Sequence, residues 1–518
     1  MDAYGFSYKA PQWTAKLKSS CKGAFDLYSA VQDFIVPKYY YDRSNRSVQM
    51  RLYTLSKRQF VLVFICFFMA FGISVLIGIA GPNIQIEDTR TTTENLPNGP
   101  FELTSPMLTK FNKSLWLTTV IEAGDKSAEN FQKPFNVSIM LRGVAQDSSQ
   151  VIVNAVPYNR TRKLVCEKGK ACDELLLLHL TTLHYSTYII TVKFEGLETL
   201  HAPVSAVNFY FRTYNPAFSN MVIWFRFVFL VTTFIVTCLF AHSLRKFSMR
   251  DWSIEQKWLS VLLPLLLLYN DPIYPLTLLV NSSIPMLIDN ITQATFLCAL
   301  LLFWLCAYHG IRQSDRKWVK FYLAKLLIVG VLWVSTLVLS SWQLYCSLYD
   351  PTFNYKVDSG DFIGMVIFFL VVGGFYILYL LFLVIRAFTE LRSLPYMNLR
   401  LKVMTILMLA VVAATTTITV MRYGVNILNE NFVTELSTYY NNCAEFLAFY
   451  SLLNCYLYTM AFVYSPSKNA HKDTYFKDNP TFSMLNESED ELIYGSDSDD
   501  NVHTSLTGNN RHLSNEEE

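Results

Sequence analysis

Eight stretches of about twenty apolar residues, nearly free of charge, limit more than any other feature what this chain can fold into. A hydrocarbon core about 30 Å thick is crossed by about 20 residues of helix, because backbone N–H and C=O groups cannot be left unpaired in lipid. The stretches run Phe60–Ala80, Val222–His242, Trp258–Val280, Met286–Tyr308, Tyr322–Trp342, Ile363–Ile385, Val403–Met421 and Cys443–Tyr464. The first follows Arg51, Lys57 and Arg58 and starts too deep in the chain for a cleaved leader, so it reads as a signal anchor. A mean hydropathy of +0.26 and a charged fraction of 16% exclude a disordered chain, a nucleic-acid binder built on a basic face and an ordinary cytosolic enzyme.

Lys and Arg set the orientation. Loops 241–257, 309–321 and 386–402 carry four each, whereas 281–285 has none, 343–361 only Lys356 and 422–441 only Arg422. The rich loops are in phase with the basic segment 1–59, which holds ten Lys/Arg against four Asp/Glu. Both termini are therefore expected in the cytosol and residues 81–221 in the lumen or outside, in the plasma membrane and/or Golgi and endosomal membranes.

Within that segment, residues 81–105 are rich in Pro, Asn and Thr and read as a linker. Period-two alternation then marks strands at Trp116–Glu122, Phe135–Arg142, Val151–Val156, Lys163–Cys166, Glu174–Leu180, Thr187–Phe194 and Val207–Thr213. The expected fold is an α-helical multi-pass membrane protein of one plus seven helices with an inserted lumenal all-β sandwich. Its divisions are a basic segment 1–59, a first helix 60–80, the sandwich segment 81–221, a bundle 222–464 and an acidic tail 465–518.

Asn112, Asn136 and Asn159 open N-glycosylation sequons on the lumenal side, and strand burial can block one of them. Those at Asn45 and Asn486 fall in cytosolic segments, and those at Asn281, in a very short loop, and Asn290, at a helix start, are poor acceptors. Cys166 and Cys172 are the module's only cysteines, and an oxidising compartment favours a bridge between them over two buried thiols. A pairing of Cys346 with Cys443 stays open. With no His/Cys cluster at ligand spacing, neither a metal nor a cofactor is expected.

Ionisable groups inside a membrane are functional candidates. Asn270-Asp271-Pro272, between Pro264 and Pro275, predicts a broken span. Two readings stand side by side: a polar point lining a cavity, or a cap on the second half-helix. Asp289, Glu445 and Lys325 lie near helix ends and are expected to snorkel; Arg226, a turn into its span, needs either snorkelling or a partner carboxylate. His242 and His309 read as interfacial, Asn454 and Gln293 as interhelical hydrogen-bond partners, and Gly373-Gly374 as close helix packing. Neither a nucleophile elbow, a phosphate loop, a zinc-protease motif nor a dinucleotide fingerprint is found, so no enzymatic function is expected.

At the ends, Trp13 to Ile35 has the spacing of an amphipathic helix, lying on the anionic leaflet or against the bundle's own loops. The tail is polar, with Ser488 and Ser496 in acidic contexts suited to phosphorylation and Glu489-Asp-Glu-Leu-Ile near an acidic-leucine sorting signal.

Met50-Arg-Leu-Tyr-Thr-Leu-Ser-Lys-Arg, Tyr214-Asn-Pro-Ala-Phe-Ser, Phe234 to Lys257, Pro264 to Pro272, Phe303 to Arg312 and Ala461 to Lys468 resemble the transmembrane protein 181 family, roughly over residues 50–495. The family is similar to Wntless, the carrier of lipidated Wnt ligands, which implies a Golgi-dynamics (GOLD) type sandwich between the first helix and a seven-helix bundle. It also implies a role as host factor for bacterial cytolethal distending toxin. The expected function is thus a non-enzymatic cargo receptor or trafficking chaperone for a lumenal protein or lipidated ligand, in contact with membrane lipid and not with nucleic acid. A seven-helix signalling receptor is the alternative, and a transporter the third reading.

Overall fold

The computed structural model describes residues 48–467, apart from 124–130, 145–149, 155, 167–171, 199–203, 250, 281, 313–317, 354–357, 359–362, 392–394 and 424–441, together with Ala470. The Trp13–Ile35 segment, the sequons at 45, 281 and 486, and the tail with Ser488 and Ser496 lie outside the described residues.

Apolar runs form helices because lipid leaves the backbone no other partner than itself. The helices are α1 (Lys57–Ile79), α2 (Pro216–Leu244), α3 (Ile254–Tyr269), α4 (Tyr274–Leu279), α5 (Ile284–Arg312), α6 (Trp318–Tyr349), α7 (Ile363–Leu391), α8 (Pro395–Tyr423) and α9 (Cys443–Tyr464). Seven spans among the described residues are long and apolar enough to cross a membrane, the third being α3 and α4 taken together. The α8 segment is a continuous helix whose apolar stretch, among the described residues, is the shorter Lys402–Thr415. Ser56 starts α1 with a reciprocal side-chain cap to Gln59, and Ser253 starts α3 in the same way with Gln256.

Helix α9 is the axis of the bundle, buried along nearly its whole length. Helix α1 lies against it so closely that a Cβ added at Gly78 would stand 2.6 Å from the Ala444 Cα. The chain ends of this membrane body are also joined. The Arg51 N–H donates to Ser465 O at 2.9 Å and the Ser467 N–H to Gln49 O at 2.9 Å, while Gln256 Nε2 donates to Tyr464 O at 3.0 Å.

Between α1 and α2 stands an antiparallel β-sandwich of β1 (Gln85–Thr92), β2 (Phe101–Thr104), β3 (Leu115–Ala123), β4 (Phe131–Val144), β5 (Gln150–Ile152), β6 (Tyr158–Cys166), β7 (Leu175–Leu180), β8 (Thr187–Glu195) and β9 (Val204–Tyr214). One sheet has the order β1-β9-β3-β7; the other runs β2-β8-β4, with β5 and β6 both on the free edge of β4. Alternate residues turn inward, so Phe135, Val137, Ile139 and Leu141 of β4 meet Phe209 and Phe211 of β9 in one core. Two strands, β1 and β2, occupy what the composition marks as a linker. Strand β1 is an edge strand with almost every side chain exposed, so it carries no apolar alternation to read.

Candidate polar site between sandwich and bundle

The broken span is real. Helix α3 ends at Tyr269, Asn270 caps it, and Asp271 turns the chain with φ of +51° before α4 begins. Asp accepts that left-handed conformation better than most residues with a Cβ. Its Oδ1 accepts from the Ile273 N–H at 3.2 Å, an Asx turn that starts the second half-helix. The N-cap of α4 is Ile273, which has no side-chain cap bond, so Asn270 ends the first half-helix rather than capping the second, and the turn between the two halves is made by Asp271. Its side chain is 4% exposed and is filled over by Arg226, whose Nη1 lies 2.7 Å from Asp271 Oδ2 and 3.7 Å from Asp289 Oδ1. Pro272, the third residue of the motif, is exposed.

Arg226 lies ten residues after Pro216, about 15 Å along α2. There its guanidinium stacks over the Tyr274 ring at 4.2 Å and faces Tyr450 at 5.8 Å. Arg226 Nε and the Tyr450 hydroxyl are buried with no hydrogen-bond partner among the described residues. Gln293 Nε2 donates to Asp289 Oδ1 at 2.7 Å, so Asp289 is held by partners and does not snorkel. A second layer joins three helices: Asn270 Nδ2 donates to Thr233 Oγ1 at 2.7 Å and to Asn454 Oδ1 at 3.0 Å, and Asn454 Nδ2 returns a bond to Asn270 Oδ1 at 3.2 Å. Asn454 is the interhelical partner its position predicts.

The sandwich closes this site. Lys113, itself at φ +57°, brings its ammonium to 5.9 Å from the Tyr274 ring and 5.5 Å from Tyr214. Burial alone would lower its pKa, but Tyr274, Tyr214 and Asp289 outweigh burial and raise it. Tyr274 is thus faced by a cation from each module. Nearby, Trp116 stacks on His179 at 5.1 Å and packs against Tyr214, which stacks on Phe218, and Phe218 meets Phe446 of α9. Burial takes the His179 imidazole down to about 4.

Another anchor lies at the β6 edge. Arg162, only 4% exposed, bonds Asp358 Oδ1 at 2.9 Å and Thr352 O at 2.6 Å, and Arg160 pairs with Asp350. Burial would raise the Asp350 pKa, but hydrogen bonds from Thr352 and Arg160 hold it below the ordinary carboxylate range. The His179 N–H also donates to Pro351 O at 2.7 Å. Sequence reasoning missed these pairs, since nothing along the chain ties β6 to a loop some 190 residues later.

Other expectations resolve individually. Cys166 and Cys172 form a disulfide. Cys346 and Cys443 are both free thiols, and Cys443 Sγ packs 3.8 Å from Met221 Sδ. Asn112 is 6% exposed; its Nδ2 donates to Tyr214 O at 3.0 Å and its Oδ1 accepts from the Thr109 N–H at 2.7 Å. It is a structural joint, whereas Asn136 and Asn159 are exposed. Their sequons lie face to face, Asn136 opposite Thr161 and Ser138 opposite Asn159. Lys325 does not snorkel: it is fully buried, its Nζ 3.4 Å from the Phe321 ring centroid and donating to Phe321 O. Among the described residues nothing lies within 4 Å of a Cβ added at Gly373 or Gly374, so no close helix contact is seen there. An apolar groove of about 540 Å³ runs between α1 and α8, lined by Phe60, Phe64, Phe68 and Ile406, on the half of α1 far from the sandwich.

Comparison with known proteins follows the same division. Residues 99–214 match the family model described as TMEM181, GOLD domain, and 215–468 match Wntless-like, transmembrane domain. The chain is 54% identical to human Transmembrane protein 181 over 86% of this chain and 94% of that protein. It is 22% identical to Protein wntless homolog A of Xenopus laevis over 73% of this chain and 75% of that one.

Proposed function

Because this chain belongs to the transmembrane protein 181 family of multi-pass membrane proteins, we propose that it acts as a cargo receptor or trafficking chaperone whose sandwich engages a protein on its own side of the membrane. In this reading both termini face the cytosol and the sandwich faces the lumen or outside, which the Lys/Arg distribution supports. The observation that carries the proposal is the double anchoring of the sandwich on the bundle, by Arg160 and Arg162 at one edge and by Lys113 over Tyr274 at the other. A module held at two points transmits load or a tilt to the helices, which a freely tethered domain does not. The Arg226–Asp271–Asp289 cluster sits where that tilt would be felt and serves as the coupling element. Cytolethal distending toxin, if it uses the chain, meets the sandwich first; full sensitivity of cells lacking the protein would remove that role.

The test is chemical crosslinking with a membrane-impermeant reagent on intact resting cells, followed by capture of the full-length chain. A parallel chain carries Lys193→Asn with Glu195→Thr, which places a glycan shield on the exposed side of β8. The expected result is a defined set of partners at least five-fold reduced by the shield, at equal abundance. Partner sets that do not change with the shield, or that match an unrelated multi-pass protein, overturn the proposal.

A further inference from the structure

Two margins of the sandwich carry exposed apolar side chains close in sequence to residues that hydrogen-bond the bundle. At the free edge of β4, just past β5, the Val153 N–H donates to Leu141 O at 3.1 Å and the Asn154 side chain accepts from the Leu141 N–H at 2.8 Å in place of a backbone partner. Around it Ile152 is 64% exposed, Val153 43% and Val156 74%. Four exposed β-branched residues, Val151 included, on a sheet edge are an aggregation hazard if water is their only neighbour.

Their position says what covers them. Going back along β6, Arg162 holds Thr352 and Asp358, Arg160 holds Asp350, and Tyr158 lies within electrostatic reach of Tyr349 and Asp350. The strand therefore passes from the loop after α6 to the end of α6 itself. There Tyr345 and Tyr349, stacked at 6.0 Å, are 65% and 78% exposed on the bundle's outer surface. Tyr at the end of a membrane-crossing helix marks the headgroup level. Past Tyr158 the same sheet edge leads on to Val156, Val153 and Ile152.

A separate observation gives the same level on another margin. Phe111 is 42% exposed and its carbonyl accepts from Ser219 Oγ at 2.7 Å, one turn into α2. Its neighbour Lys110 donates to Leu279 O at 3.3 Å; Leu279, the last residue of α4, and Ile284, the first of α5, are 59% and 64% exposed.

We propose that the sandwich rests on the bilayer itself, with Ile152, Val153 and Val156 at one margin and Phe111 at another seated in the interfacial layer of the adjacent leaflet. The occupant is lipid: the apolar side chains enter the glycerol and upper acyl region, and Lys110 is placed to meet phosphate. The inference depends only on the membrane-spanning fold and not on any cargo.

The experiment reconstitutes the full chain in phosphatidylcholine nanodiscs with a photoreactive diazirine amino acid in place of Phe111, Ile152 or Val156. The control position is Ser205, exposed and nine residues up β9 from Tyr214, about 30 Å from the membrane entry. The expected result is phospholipid adducts at all three positions at least ten-fold above Ser205, with the thermal unfolding midpoint unchanged. Adducts no more abundant than at Ser205, or crosslinks to protein alone, overturn the proposal.

Discussion

Replacement of Arg226 by Met tests whether the charge cluster, and not apolar packing alone, holds the broken span in place. At an effective dielectric constant of about 20, a unit charge 2.7 Å from Asp271 gains about 6 kcal/mol and one 3.7 Å from Asp289 about 4.5 kcal/mol. Much of this offsets the cost of taking the charges out of water, so the pair itself contributes far less than the sum. Removing only the cation leaves two carboxylates buried without it, at a cost of about 3–5 kcal/mol. Asp271→Asn is milder, about 1–3 kcal/mol, since Asn tolerates the positive φ and still accepts from the Ile273 N–H, while Arg226 keeps Asp289. The double variant should therefore cost about 2–3 kcal/mol less than the two singles together. Equilibrium unfolding in mixed detergent and SDS micelles, followed by tryptophan fluorescence, measures all three. Costs that add to within about 0.5 kcal/mol refute the reasoning.

The remaining predictions concern the rest of the chain. Gly78→Val should destabilise by about 1–3 kcal/mol by pushing α1 off Ala444, read as a lower unfolding midpoint in detergent; an unchanged midpoint contradicts the close contact. Asn136→Gln and Asn159→Gln should each remove one glycosidase-sensitive gel shift, while Asn112→Gln should leave mobility unchanged and lower stability, having lost its bonds to Tyr214 and Thr109. His179 binds its proton more weakly folded than unfolded, so its contribution is complete above the unfolded value of 6.5 and declines as pH falls toward about 4. Between pH 7 and pH 4.5 this amounts to about 2.5 kcal/mol, and His179→Gln should flatten the pH dependence of unfolding by that amount.

The membrane spans were legible because lipid imposes one rule on every backbone group, and that rule leaves its trace in composition alone. Asp271 was legible as a break, from Pro264, Pro272 and Pro275, but not as the partner of Arg226 forty-five residues earlier. Choosing a partner needs the relative rotation of α2 and the α3–α4 break, which no local pattern encodes. Lys325 shows the same limit from the other side: its place near a helix end suggested water, yet packing of Phe321 over it encloses the ammonium. Strands β3 to β9 showed through, though the expected Val151–Val156 shrinks to Gln150–Ile152 and the expected Lys163–Cys166 begins earlier, at Tyr158, whereas β1 and β2 did not show. Strand β1 has one side chain after another in solvent, and β2 offers only Phe101 and Leu103 as inward residues.

The seam between α1 and α9 also sets a timetable for biosynthesis. The first helix leaves the ribosome 364 residues ahead of the one whose Ala444 fills the space beside Gly78. At roughly 5–20 residues per second, that delay is on the order of 20–70 s. Throughout it the Gly78 face of α1 waits uncovered in the bilayer, and a nascent chain stopped before Cys443 never gains its closing stave.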